Sequence, residues 1–97
     1  MRVALAFNVK KSKPSENLKE QLDLEFDSPS VTLAQKEALE ELGHKVALVE
    51  ADENAFIKLK KLKKSIDIVF NVAEGLWGEA RETQIPMICE ILKIPYT

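Results

Sequence analysis

A single cysteine, Cys89, gives this chain no partner with which to build a disulfide framework, as suits a reducing compartment. Long apolar runs are missing too, so nothing in the sequence reaches the roughly 20 residues a membrane-spanning helix needs. The apolar opening, "MRVALAFNV", is followed by Lys10 and Lys11 without a small-residue cleavage site, which is not the pattern of a secretory leader. A cytoplasmic location is therefore the expectation. There is little excess of one charge: 14 Lys and Arg stand against 16 Asp and Glu, a formal net charge of −2. Such a balance offers no general attraction to nucleic acid or anionic lipid, and neither is expected as a partner. Glycine is scarce, with three in the chain. Gly75 and Gly78 form a Gly-x-x-Gly pair, but the lysine of a phosphate-binding P-loop and the third glycine of a dinucleotide fingerprint are lacking, which disfavours nucleotide binding within this chain.

What is present is an alternation. At 97 residues, 45% hydrophobic and 31% charged, the chain suits one globular domain, residues 1–97, with one core. Strand-like runs at Val3–Val9, Val46–Val49, Ile66–Val72 and Ile94–Thr97 alternate with three helical patterns. That order predicts an α/β fold: a four-stranded parallel sheet, strand order 2-1-3-4, with helices on both faces. The near-continuous apolar run "IDIVFNV" reads as a mid-sheet strand covered on both sides. The first helix is punctuated by Ser28 as cap, Pro29 at its first position and Gly43 just past its end, with Val31, Ala34, Ala38, Leu39 and Leu42 as its apolar face. A second runs from about Glu53 to Lys64 on Phe56, Leu59 and Leu62, its many lysines forming a solvated face near the favourable end of the helix dipole. The third runs from about Arg81 to Leu92, with Ile85, Ile88, Cys89 and Leu92 on one stripe and Pro86 in its first turns.

In an open parallel sheet, ligands bind beyond the carboxyl ends of the strands, where the strand order reverses. The 2-1-3-4 order puts that crevice between the first and third strands, so the segments Asn8–Asp27 and Asn71–Glu82 converge on it. Both are rich in acids: Asp23, Glu25 and Asp27 in one, Glu74, Glu79 and Glu82 in the other. One reading is helix capping, since acids near a helix N-terminus are favourable by about 0.3–1 kcal/mol. A sharper one is a receptor for a ligand ammonium group, which needs poorly solvated carboxylates facing a pocket. A metal is the third, but the spacing matches no calcium or zinc loop, and no metal site is expected. Trp77, between the glycines in a polar loop, suits an interface or internal packing. His44 follows a helix-ending glycine and reads as a turn residue. Cys89, on an apolar stripe with no base beside it, reads as core, so no catalytic residue is assigned.

The run "FN-x-x-E-G-x-x-G-E" from Phe70 to Glu79, then Gln84, Glu90 and "IPYT" at Ile94–Thr97, resembles the N-terminal domain of D-alanine–D-alanine ligases and their close relatives. The resemblance is strong from Asp67 onward and looser before it. It implies a three-layer, Rossmann-like domain of the kind that precedes an ATP-grasp unit, in an enzyme that joins a carboxylate to an amine in peptidoglycan precursor synthesis. It also implies site residues: Glu25, in "LEFDSPS", matches the glutamate that holds the ammonium of the first D-alanine. Glu74 stands where the family usually has a histidine lining the same subsite, and Gly75 is the glycine of that loop. The chain departs from the family again after its first strand, where "FNVKKSK" replaces a glycine pair, so a ligase-like subfamily is implied. Family members continue past "IPYT" into domains holding ATP and magnesium, which this chain does not contain. By itself it is expected to be inactive; the alternative is a stand-alone small-molecule-binding or assembly module. If the chain is a fragment, its surface for partner domains is exposed, and a homodimer through Trp77, or through Met87 or Ile91 on the third helix, is expected.

Overall fold

The computed structural model describes residues 1–8, 29–74 and 80–97. Three parallel strands, β1 (Arg2–Phe7), β2 (Lys45–Glu50) and β3 (Ile68–Asn71), lie in the order β2-β1-β3. Helix α1 (Pro29–Glu41) connects β1 to β2, and α2 (Ala55–Leu62) connects β2 to β3. A short 3-10 turn (Arg81–Thr83) leads into α3 (Gln84–Leu92). The α/β class and the 2-1-3 part of the order are as the alternation implies.

The fourth strand is a correction. Ile94–Thr97 does come to the outer edge of β3, but only as an isolated parallel bridge between Val69 and Tyr96. Val69 N–H donates to the Pro95 carbonyl at 2.8 Å, and Thr97 N–H donates to the Val69 carbonyl at 3.0 Å. The next strand amide, Asn71 N–H, turns to the Thr97 hydroxyl at 2.9 Å instead of a carbonyl, which ends the ladder. Pro95 has no N–H to extend it from the other side. The central strand is likewise β1 rather than β3. Val3, Ala4, Leu5 and Ala6 are all buried, whereas β3 buries Val69 and leaves Ile68 and Phe70 half-buried.

One sheet face carries a continuous core in which Ala4, Ala6, Val49 and Val69 meet Ala55 and Leu59 of α2 and Ile85, Cys89 and Leu92 of α3. Ile88 and Leu62 pack against its margin. The expected α3 stripe is thus the buried one, and Cys89 is core, its thiol pushed up to about 11 by burial. Helix α3 begins three residues later than the pattern suggests. An α-helix over Arg81–Thr83 would need an N–H from Pro86 to the Glu82 carbonyl, so that turn tightens to 3-10. At its other end Lys93 takes the left-handed conformation, φ 59°. Its N–H bonds the Glu90 carbonyl at 3.3 Å and Ile94 N–H bonds the Cys89 carbonyl at 2.8 Å, a Schellman closure. Gly43, φ 95°, closes α1 in the same way, with Gly43 N–H on Glu40 and His44 N–H on Leu39.

Two further helix expectations change. Ser28 lies outside the described residues, and α1 does not bury the face expected of it. Thr32 is buried and Leu39 half-buried, while Val31, Ala34, Ala38 and Leu42 are exposed. Apolar residues ring this helix, Leu33 among them, so periodicity does not single out one face. In α2, Phe56 is on the surface and Ala55 takes its place inside with Leu59. The helix starts late because Asp52 supplies the turn: its Oδ1 accepts from Asn54 N–H at 2.9 Å and its carbonyl from Ala55 N–H at 3.0 Å.

Candidate functional site

The backbone pairing of β1 with its neighbours continues one residue beyond each: Ala51 N–H bonds the Phe7 carbonyl at 2.8 Å, and Val72 N–H bonds the Ala6 carbonyl at 2.9 Å. The chains that follow β2 and β3 leave the sheet beside the carboxyl end of β1, the end at which parallel sheets hold their ligands. Asn8 sits at that end, 4% exposed. Its Nδ2 donates to the Ala51 carbonyl at 3.3 Å, and its Oδ1 accepts from the Glu74 backbone N–H at 2.6 Å. One side-chain amide therefore touches the chain after β2 and the chain after β3 together.

Asn71 shapes the exit from β3. Its Oδ1 accepts from Ala73 N–H at 3.0 Å, turning the chain immediately after the strand. Two residues later Glu74 is half-buried. Farther along the chain, Thr83 Oγ1 donates to the Ala80 carbonyl at 2.6 Å and steadies the turn into α3. Asp52, just beyond β2, has Oδ2 2.7 Å from Lys58 Nζ. That hydrogen bond, ahead of the cost of desolvation, holds the Asp52 carboxyl below the usual carboxylate range. A paired Asp52 is a helix-start residue and not a free ligand group.

Of the residues that the sequence points to, Glu74 lies beyond the carboxyl end of β3, with its backbone N–H on Asn8. Glu25 and Gly75 fall outside the described residues, as do Asp23, Asp27, Trp77, Gly78 and Glu79. Glu82 is exposed. His44 is a turn residue, its Nδ1 3.0 Å from the Met1 amino group. Among the described residues no three His, Cys, Asp or Glu side chains come together to hold a metal. The lysines of α2 are mostly exposed, and Lys58 faces Asp52. No helix among the described residues is long and apolar enough to cross a membrane.

Asn8 itself is the residue that pattern reading passes over. A signal exists: β1 and β3, neighbours in the sheet, both end in Phe-Asn, at Phe7-Asn8 and Phe70-Asn71, each a polar amide closing an apolar run.

Comparison with known proteins adds a direction. No family model matches the chain. It is 38% identical over 66 residues to "Uncharacterized protein y4sG" of Sinorhizobium fredii, covering 62% of this chain and 20% of that protein. It is 40% identical over 60 residues to a D-alanine–D-alanine ligase of Rickettsia felis, covering 62% of the chain and 17% of the ligase. The corresponding figures for a D-alanine–D-alanine ligase of Fervidobacterium nodosum are 39% over 61 residues, 63% and 18%. The chain thus spans about a fifth of the length of the curated relatives it matches. Among solved structures, the C-terminal catalytic domain of ISC1926 TnpA, an IS607-like serine recombinase, aligns at 18% identity and a TM-score of 0.47, over 100% of this chain and 66% of that one. A score at that level carries no argument. What the comparisons establish is a similarity to D-alanine–D-alanine ligases over about three fifths of the chain, 62% to 64%.

Proposed function

We propose that this chain is the substrate-side, N-terminal domain of a D-alanine–D-alanine ligase-like protein, contributing to the site that receives the first amino acid. The observation that carries the reading is the 37–40% identity to ligases of this kind over about 60 residues. The fold supports it, because Glu74 follows β3 at the carboxyl end of a parallel sheet, where such folds bind small ligands. In this reading Glu25 and Glu74 accept hydrogen bonds from the ligand ammonium, and Gly75 lets the backbone approach it.

ATP and magnesium belong, in this reading, to ATP-grasp domains outside this chain. The described residues do not fit a metal, having no cluster of carboxylates to hold one, and no chemical step is assigned to either group here. Met87 and Ile91 project from α3 at 54% and 61% exposure. They form an apolar surface suited to those domains or to a second copy.

Two assays bear on the reading. The 97-residue chain alone should neither join D-alanine to D-alanine nor hydrolyse ATP; measurable ligation overturns the reading. In a ligation-competent protein carrying the chain, Glu25→Gln or Glu74→Gln should weaken binding of the first amino acid by about 1.5–3 kcal/mol, the scale of a hydrogen bond to a charge. ATP affinity should stay the same. Unchanged amino-acid affinity by calorimetry returns both residues to helix capping.

A further inference from the structure

We propose that Asn8 is the positioning residue of this site: its buried carboxamide sets where the segment bearing Glu74 leaves β3, and hence where that carboxylate meets a ligand ammonium. The ligand in this proposal rests on the amino-acid reading above; the geometry does not.

Three observations carry it. Asn8 is 4% exposed, at a depth where an amide is retained only when its polar atoms are bonded. Its carboxamide bonds both chains that leave the sheet beside it, donating to the Ala51 carbonyl after β2 and accepting from the Glu74 amide after β3. The second, at 2.6 Å against 3.3 Å for the first, is the shorter, and it falls on the backbone of the very residue that carries the acid. The task needs an asparagine. One planar group must donate on one side and accept on the other, while an ionised aspartate can only accept. A neutral amide also adds no charge beside Glu74, where a second carboxylate would disturb the site electrostatically.

The test uses the 97-residue chain, labelled with nitrogen-15, and D-alanine as probe. Asn8→Ala removes both bonds. It should cost the Glu74 amide its protection from hydrogen exchange beyond any global loss, and weaken D-alanine binding about tenfold, the equivalent of one hydrogen bond. Leu62→Ala, at the other end of the sheet, serves as the control: it should lower stability and leave both readouts at their wild-type values. Asn8→Asp at neutral pH keeps an acceptor for Glu74 N–H and loses the donor to Ala51. It should restore the Glu74 protection that Asn8→Ala removes, and it is the variant to measure should Asn8→Ala not fold. Wild-type protection at Glu74 in Asn8→Ala, or no restoration in Asn8→Asp, overturns the proposal. Should D-alanine fail to bind the wild-type chain, the amino-acid reading falls, and Glu74 exchange in the variants still decides whether Asn8 positions that residue.

Discussion

The two ends of β1 are tied to their neighbours by opposite means. At the amino end the tie is ionic and wet: Arg2 N–H and guanidinium both bond Asp67, at 2.7 and 3.2 Å, with the two side chains 51% and 44% exposed. At the carboxyl end it is neutral and dry, the buried Asn8 carboxamide reaching Ala51 and Glu74. Exposed ion pairs contribute little because water screens them and long side chains lose freedom in forming them. A buried amide cannot exchange its partners for water, so it fixes geometry more firmly. The difference teaches where precision is required. The amino end has only to hold strands together, and the carboxyl end also fixes the backbone on which Glu74 leaves the sheet.

Breaking the dry end should have the largest effect. Asn8→Ala leaves the Glu74 amide and the Ala51 carbonyl without their side-chain partner, and urea unfolding should show a loss of about 1–3 kcal/mol. A loss no greater than that of an ordinary surface substitution would place both groups in water and erase the contrast.

Next come the helix ends on the amino side, where Gly43 and Lys93 occupy the same left-handed cap with different residues. Gly43→Ala should destabilise by about 1 kcal/mol, and Lys93→Gly should stabilise by a similar amount, because a side chain is strained there. Opposite signs in thermal melts are the expected result; equal signs would show that the caps are not equivalent.

The ionic tie should matter least. Asp67 is held below its usual range, chiefly by the hydrogen bonds from Arg2, and Asp52 by its bond to Lys58. A carboxyl whose folded pKa is depressed contributes stability that is present above its unfolded pKa, near 3.8 for both, and lost as pH falls through the lower folded value. Asp67→Asn should therefore leave stability near neutral pH close to wild type and remove part of the decline below about pH 4. A melt that drops at pH 7 as far as that of Asn8→Ala would make the two ends alike.

How much of this was legible beforehand follows the range of the forces involved. Pro29 and Gly43 mark the ends of α1 by local backbone chemistry, and α1 runs between them. The Ile85, Cys89 and Leu92 stripe of α3 is dense enough to specify its buried side. The face of α1 was not legible, since Val31, Leu33, Ala38 and Leu42 surround the helix and docking chose Thr32 and Leu39 instead. Nor was the reduction of Ile94–Thr97 to a bridge, which depends on Pro95 and on the Thr97 hydroxyl intercepting Asn71. At the site, strand order alone brings Glu74 to the carboxyl end of β1. Asn8 was harder to see, because its partners, Ala51 and Glu74, lie 43 and 66 residues away in the chain.

The central claim, that the chain receives an amino acid on Glu74 beyond the carboxyl end of β1, is tested most directly by titrating the labelled chain with D-alanine and following every backbone amide. Saturable shifts are expected at Asn8, Ala51 and Glu74, moved to higher D-alanine concentration by Glu74→Gln, with the Arg2 and Asp67 end unmoved. Shifts scattered over the surface, or a Glu74→Gln chain that binds D-alanine as the wild type does, would contradict it.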